Sequence, residues 1–448
     1  MRTHLRAISP LIVTLFVALG SCYYYFDLLL PGAHLREVAK GMAGGYSSGG
    51  DFYPIWLTGR ELFLRGRNPY TQEMTRSIQV GLYGRPMDPR RPADPPIKFR
   101  AFSYPLYVDL LAAPLLPLEF NEVRVLLGVL LPVFTAASLA LWLRAFHLQI
   151  SATALAVAVV LLLVSYPVLE GLFLQQAGLL VGVALAMSLA AIARDRLLLG
   201  GMLLAFASVK PQLVWLLALW LLLWAVSDWK RRKRFALSFL VTMGFLLLVS
   251  EVILSGWWAG WWSSMAGYSQ YTLPPLAQLV LGRFVGTLAE VVMVALACAI
   301  GWVTRRQMAS SVNFLLVVSF LLDVTVIVAP TGNAVFDQVI LVPAILWLGF
   351  HRAEILNGSR AVRVGALTAM VALCWQWVVA CGVALVSLFS PVWAASPAVL
   401  VFPTRMAAPL PLLLLALLSF FVVRVLRGRG DRYGVPVRAS ERNDFSGS

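Results

Sequence analysis

Residues 211–254 read PQLVWLLALWLLLWAVSDWKRRKRFALSFLVTMGFLLLVSEVIL. Two apolar runs, 211–227 and 235–255, flank Lys230, Arg231, Arg232, Lys233 and Arg234. Each run is apolar around its whole circumference, which a surface helix of a soluble domain is not. Each is also close to the roughly 20 residues that cross a bilayer as a helix. Cations clustered at one end of such runs are retained on the cytoplasmic side. The stretch therefore predicts a membrane hairpin with its turn inside.

The rest of the chain extends this reading. Of 448 residues 60% are apolar and 13% charged, and the mean hydropathy is +0.81. Soluble domains average about 45–50% apolar and about 25% charged. The expected fold is an all-α polytopic membrane protein of about twelve spans, at 8–29, 122–143, 153–169, 175–193, 197–209, 211–227, 235–255, 279–303, 312–329, 335–350, 363–388 and 405–424. With Arg2 and Arg6 inside, the basic turns at Arg144, Arg194 and Arg196, Arg305 and Arg306, and Arg352 and Arg360 all fall inside. The turns near 170–174, 257–276 and 330–334 hold no Lys or Arg and fall outside. The parity requires that 104–118, with Asp109, Pro105, Pro114 and Pro117, returns without crossing. Both termini are then cytoplasmic. Residues 1–426 read as one transmembrane domain, and 427–448 as a basic, disordered tail.

The net charge of +15 is explained by this topology, and no nucleic-acid-binding motif accompanies it. Cys22, Cys298, Cys374 and Cys381 all sit in apolar stretches, as small hydrophobes do. No cleavage site follows the first apolar run, which reads as a retained helix with an aromatic belt at Tyr23–Phe26.

One large hydrophilic segment stands out, the first outer loop, 30–121. Apolar residues at 52, 55, 56, 62 and 63 follow helical spacing and stop at Gly66. This predicts an amphipathic helix on the membrane surface. Asp51 precedes it, in a context that suits an N-cap; a capping carboxylate can also face a site. Elsewhere Glu170, Gln175, Gln176, Lys210, Glu251, Arg283, Asp337 and Arg405 fall near the outer boundary. Each alone reads equally as a residue snorkelling to the interface. Together, cations and carboxylates at one depth point to a site. Lys210-Pro211 joins two short helices, and irregular backbone at membrane depth borders a cavity. Asp323 and Glu290 lie deeper and suit interhelical hydrogen bonds. Trp257, Trp258, Trp261 and Trp262 read as an interface marker, with sugar stacking as the second reading.

Cations beside a carboxylate suit a lipid-phosphate donor, with a general base for an acceptor hydroxyl. No nucleotide-binding fingerprint, P-loop or metal-spaced acidic pair is present, so neither a cofactor nor a metal is expected.

Asp51-Phe52, Trp56, Gly59, Leu62, Gly66 and Pro69-Tyr70 resemble the first-loop signature of the polytopic GT-C glycosyltransferases of family 87. The resemblance continues through Ser103-Tyr104-Pro105, Pro114 to Pro117, Gln175-Gln176, Gly200-Gly201, Lys210-Pro211, and Asp337 with Leu341-Val342-Pro343-Ala344. That family includes polyprenyl-phosphate-mannose-dependent alpha-mannosyltransferases. The resemblance implies a GT-C-like bundle and inverting sugar transfer from a polyprenyl phosphate to a lipid or glycan acceptor in a bacterial cytoplasmic membrane, with Asp51 as base. Thr58 stands where alanine is common, and Phe336-Asp337-Gln338 lacks the histidines often found there. Substrate-binding candidates are Lys210, Arg283, Gln175, Gln176, Asp337, Tyr104, Glu170 and Arg405. A transporter or flippase would instead show internal repeats and a midplane site, and a non-catalytic lipid-binding scaffold would need Asp51 only as a cap.

Overall fold

The computed structural model describes residues 2–42, 47–94, 99–268, 272–309, 311–329, 335–394, 396–405 and 409–427. The outer turn at 330–334 and the tail beyond 427 lie outside the described residues. Every regular element among the described residues is helical.

Five helices are long and apolar enough to cross a membrane: Ser9–Ala39, Phe120–Ala145, Trp229–Ile253, Arg283–Thr304 and Arg360–Ser387. A sixth crossing results if Ala152–Leu163 and Tyr166–Leu174, bent by 59°, act as one. Six of the expected spans are instead shorter apolar helices, such as Leu197–Ala207 and Trp215–Val226. At 1.5 Å per residue the eleven of Leu197–Ala207 rise about 17 Å, against a hydrocarbon core of about 30 Å. In the five long helices only 17–33% of the most apolar window is buried by protein. Phe245, Val252, Phe284 and Val291 point outward. Apolar surface on that scale needs lipid, so the chain is a multi-pass membrane protein.

The first helix runs past its expected end near residue 29 to Ala39. Residues Tyr23–Leu29 are wound as a π-helix, and Leu30 N–H returns to Tyr25 O, five residues back. The wider winding lets the chain stay helical through Pro31, which has no N–H to give.

The hydrophilic loop folds onto the bundle. Helix Tyr53–Arg65 ends at Gly66 in the left-handed region (φ 64), where Gly66 N–H bonds Leu62 O and Arg67 N–H bonds Glu61 O. Much of its apolar face is covered by protein, with Phe63 and Leu64 left exposed. Ile55 and Trp56 pack into the core with Phe102, Leu116 and Val123, and Trp56 Nε1 donates to Leu118 O (3.0 Å). Residues 107–115 are a six-residue helix and a 3-10 turn. Helix Gln72–Tyr83 is capped by Thr71, whose Oγ1 accepts from Met74 N–H (3.2 Å). Beyond it Arg85 grips Asp94 at 2.5 and 2.7 Å and reaches Gly41 O at 3.1 Å.

Three buried interruptions of the bundle matter for the site. Gln175 adopts a left-handed conformation (φ 54) that ends Tyr166–Leu174 before Ala177–Ala193 begins. Lys210 breaks the chain between Leu197–Ala207 and the 3-10 turn Pro211–Leu213. The 3-10 helix Val335–Leu341 carries Asp337. Breaks of this kind are tolerated at membrane depth where protein surrounds them.

Candidate functional site

Asp51 does not cap a helix. The residue preceding Tyr53–Arg65 is Phe52, with no side-chain cap. The loop before it is instead docked onto the end of another helix: Gly49 N–H donates to Phe173 O (2.8 Å) and Asp51 N–H to Leu174 O (3.1 Å). This turns the Asp51 carboxylate inward, where it is 6% exposed. Oδ1 accepts from Arg100 Nη1 and Oδ2 from Gln176 Nε2.

From Gln176 the first turn of Ala177–Ala193 leads to a second pair. Lys210 Nζ donates to Asp337 Oδ1 at 2.8 Å, with both side chains buried. Lys210 also lies 5.0 Å from the centre of the Phe336 ring. Gly178 makes room for this pair. A methyl group there would overlap Asp337 Oδ1 and come within 3.5 Å of Lys210 Nζ. The fold thus assembles Asp51, Gln176, Lys210 and Asp337 from four separate chain segments around one helix start.

Gln175 lies beside them, donating from Nε2 to Arg124 O (2.6 Å). The Oε1 atoms of Gln175 and Gln176 are buried and have no hydrogen-bond partner among the described residues. Two orphan acceptors beside a carboxylate leave capacity for hydroxyl donors.

The other candidates fall elsewhere. Glu170 accepts from Tyr25 Oη (2.7 Å) at the interface with the first helix. Tyr104 serves through its backbone, its carbonyl accepting from Tyr70 Oη (2.9 Å). Arg283 is exposed at the first residue of Arg283–Thr304, and no hydrogen bond or ion pair among the described residues joins it to the cluster. Arg405 ends the short helix Phe402–Arg405, and its side chain lies outside the described ones. Glu251 turns to its own helix end, accepting from Gly256 N–H (2.7 Å). Glu290 accepts from Gln278 Nε2 (2.9 Å), as an interhelical contact should. Asp323 is fully buried, and neither of its oxygens has a partner among the described residues.

The tryptophan segment does more than mark an interface. Within helix Trp257–Tyr268, Trp261 Nε1 donates to Ser103 O (3.1 Å) and Ser264 Oγ to Phe102 O (2.6 Å). These bonds pin the 102–104 turn that follows Arg100. Trp257 is buried, whereas Trp262 is 72% exposed.

Two loop carboxylates could compete for a catalytic role, and their surroundings separate them. Asp109 is fully buried beneath helix Tyr53–Arg65. Burial pushes its carboxyl well above the usual range, against the opposing hydrogen bond from Thr58 Oγ1 (3.1 Å). Its surroundings therefore disfavour the charged form that a base must have. Asp51 is held by a guanidinium and an amide, partners that favour the charged carboxylate. Arg100 was not legible as a site residue. It closes a proline-rich basic stretch that reads as solvated loop, and its one local signal is adjacency to the Phe102-Ser103-Tyr104-Pro105 turn. Among the described residues no three His, Cys, Asp or Glu side chains come together to hold a metal.

The fold and the cluster define a multi-pass helical membrane protein with a buried charged centre where its helices break. The profile of glycosyltransferase family 87 matches residues 102–330, just over half of the chain. The chain belongs to glycosyltransferase family 87 and is a membrane glycosyltransferase. Comparison with curated proteins and with solved structures gave no match. The matched region holds Gln176 and Lys210, and the fold adds Asp51 and Asp337 from outside it.

Proposed function

We propose that this glycosyltransferase moves a hexose, with mannose the best fit, from a polyprenyl-phosphate donor to a lipid or glycan acceptor. The reaction takes place at the outer face of a bacterial cytoplasmic membrane. Residues 1–426 act as one catalytic domain with the 30–121 loop outside and both termini in the cytoplasm. The observation that carries this reading is the buried Asp51 carboxylate, held at the helix break beside two unsatisfied amide oxygens.

The step is an inverting displacement. The acceptor hydroxyl oxygen attacks the anomeric carbon and forms the new glycosidic bond. The bond from that carbon to the phosphate oxygen breaks, and its electron pair leaves on the polyprenyl phosphate. Asp51 takes the hydroxyl proton as general base. A cation at the phosphate stabilises its gain of negative charge. Gln175 and Gln176 offer their free Oε1 atoms to sugar hydroxyls.

The test is transfer of label from radiolabelled polyprenyl-phosphate-mannose to native membrane lipids by the purified protein. Asp51→Asn and Asp51→Ala should insert normally and lose transfer by about 10²–10⁴-fold, the usual contribution of a general base. An unchanged rate sinks the base assignment. Uptake of a polar solute into proteoliposomes without sugar transfer would instead support a transporter.

A further inference from the structure

The cations read from sequence as phosphate ligands are poorly placed for that task. Lys210 is committed to Asp337 inside the protein. Releasing it would take the cation away from a buried carboxylate. Arg283 is exposed and joined to none of the cluster among the described residues. Arg124, which the sequence did not single out, passes its stem beside Gly49, and its backbone carbonyl serves Gln175.

Arg100 differs from all of these. In its pair with Asp51 the arginine side chain is 30% exposed and the carboxylate 5%. The cation is the accessible half and the anion the hidden half, so an arriving ligand meets the guanidinium first. The turn two to four residues beyond it is fixed by Ser264, Trp261 and Tyr70. The chain just beyond the arginine is therefore anchored while its side chain stays partly exposed. Asp51 would not collapse on losing Arg100, because Gln176 holds its other oxygen and Leu174 O holds its backbone.

We propose that Arg100 is an exchangeable cation. The phosphate of the lipid donor draws it away from Asp51, and the carboxylate thus released becomes available as base. This rests on the reading of Asp51 as the general base. A carboxylate bound to a guanidinium is a weak base, and loss of that partner strengthens it. The donor phosphate is a diester with one negative charge and leaves as a monoester with greater charge. The planar guanidinium suits both forms through paired hydrogen bonds. Phosphate binding and base activation are then one event. The Lys210–Asp337 pair beside this centre keeps its place.

Because phosphate and Asp51 compete for one guanidinium, removing the carboxylate must improve phosphate binding. The experiment titrates the full-length protein in lipid nanodiscs with farnesyl phosphate, read by tryptophan fluorescence, with inorganic phosphate as a parallel probe. Arg100→Gln should weaken farnesyl phosphate binding about tenfold, the scale of one lost charge-assisted contact. Asp51→Asn should tighten it severalfold, a gain that misfolding cannot mimic. The double variant should match Arg100→Gln alone. Unchanged or weaker binding by Asp51→Asn overturns the exchange. Equal binding of inorganic phosphate overturns the lipid-donor assignment of the site. Transfer assays on Asp51→Asn judge the base separately: an inactive variant without tighter binding removes only the exchange, and an active variant removes the base reading.

Discussion

Thr58 and Asp109 form a buried polar contact between the first-loop helix and the 107–112 helix. The Thr58 hydroxyl meets the buried Asp109 carboxyl at 3.1 Å. The other oxygen of Asp109 has no partner among the described residues. Thr58→Ala should therefore cost about 1–3 kcal/mol, the penalty for stranding a buried polar group. Thermal unfolding in detergent measures this, and Asp109→Leu in the same chain should return part of the loss. The Lys210–Asp337 pair follows the same logic with higher stakes. Lys210→Met or Asp337→Leu alone should destabilise by about 3–5 kcal/mol, and the double change by much less. Equal losses in single and double variants would contradict the pairing. Gly178→Val, which crowds both partners, should resemble the single changes. Sequence made Lys210 and Asp337 visible one at a time, because ionisable groups in apolar runs demand a reason. It could not join them, since 127 positions separate the two. The N-cap context of Asp51 misled for the same cause, while its candidacy as a base did not depend on it: local spacing favours the nearest amides, and its actual partners lie 49 and 125 positions away.

At the scale of elements, the first loop is held by a few contacts that can be addressed separately. Arg85 binds Asp94 and draws its carboxyl down to about 2, chiefly through the side-chain hydrogen bond. An unfolded aspartate titrates near about 3.9. Because the folded value is the lower one, the contact contributes its full stability above the unfolded value and loses it as pH falls through the folded value. Deuterium uptake across helix Gln72–Tyr83 and the turn after it should rise between about pH 4 and about pH 2. In Asp94→Asn that rise should disappear. Gly66 is a second such point, since a side chain at φ 64 is strained; Gly66→Ala should cost about 1–2 kcal/mol. The helix ending there was legible from period and glycine alone. Its burial partner was not. An apolar face looks the same in sequence whether lipid or the 107–118 segment will cover it. The short helices pose the opposite question. Val312–Val328 is almost wholly buried by protein, so its hydropathy does not report on lipid contact.

For the whole molecule, one asymmetry governs where the chemistry can happen. The Asp51 loop and the basic turn of 230–234 should lie on opposite sides, because cations resist translocation and the loop holds the sequence between the first two long helices. Accessibility to a charged maleimide can decide this. The four native cysteines lie in the apolar helices Arg2–Cys22, Arg283–Thr304 and Arg360–Ser387, away from water, so background reaction should be slow. Arg76 is exposed on the helix Gln72–Tyr83, and Lys230 is exposed in the first turn of Trp229–Ile253. Intact cells should label Arg76→Cys and spare Lys230→Cys, and inverted vesicles should reverse the pattern. The opposite result would put Asp51 on the cytoplasmic face. There the acceptor would meet nucleotide-linked sugars as readily as lipid-linked ones, and the case for a polyprenyl-phosphate donor would lose its physical basis. With the expected result, the lipid-linked sugar is the activated donor that can be delivered to the outer face through the bilayer itself. An exchangeable arginine at the mouth of the site then becomes the first group its phosphate meets.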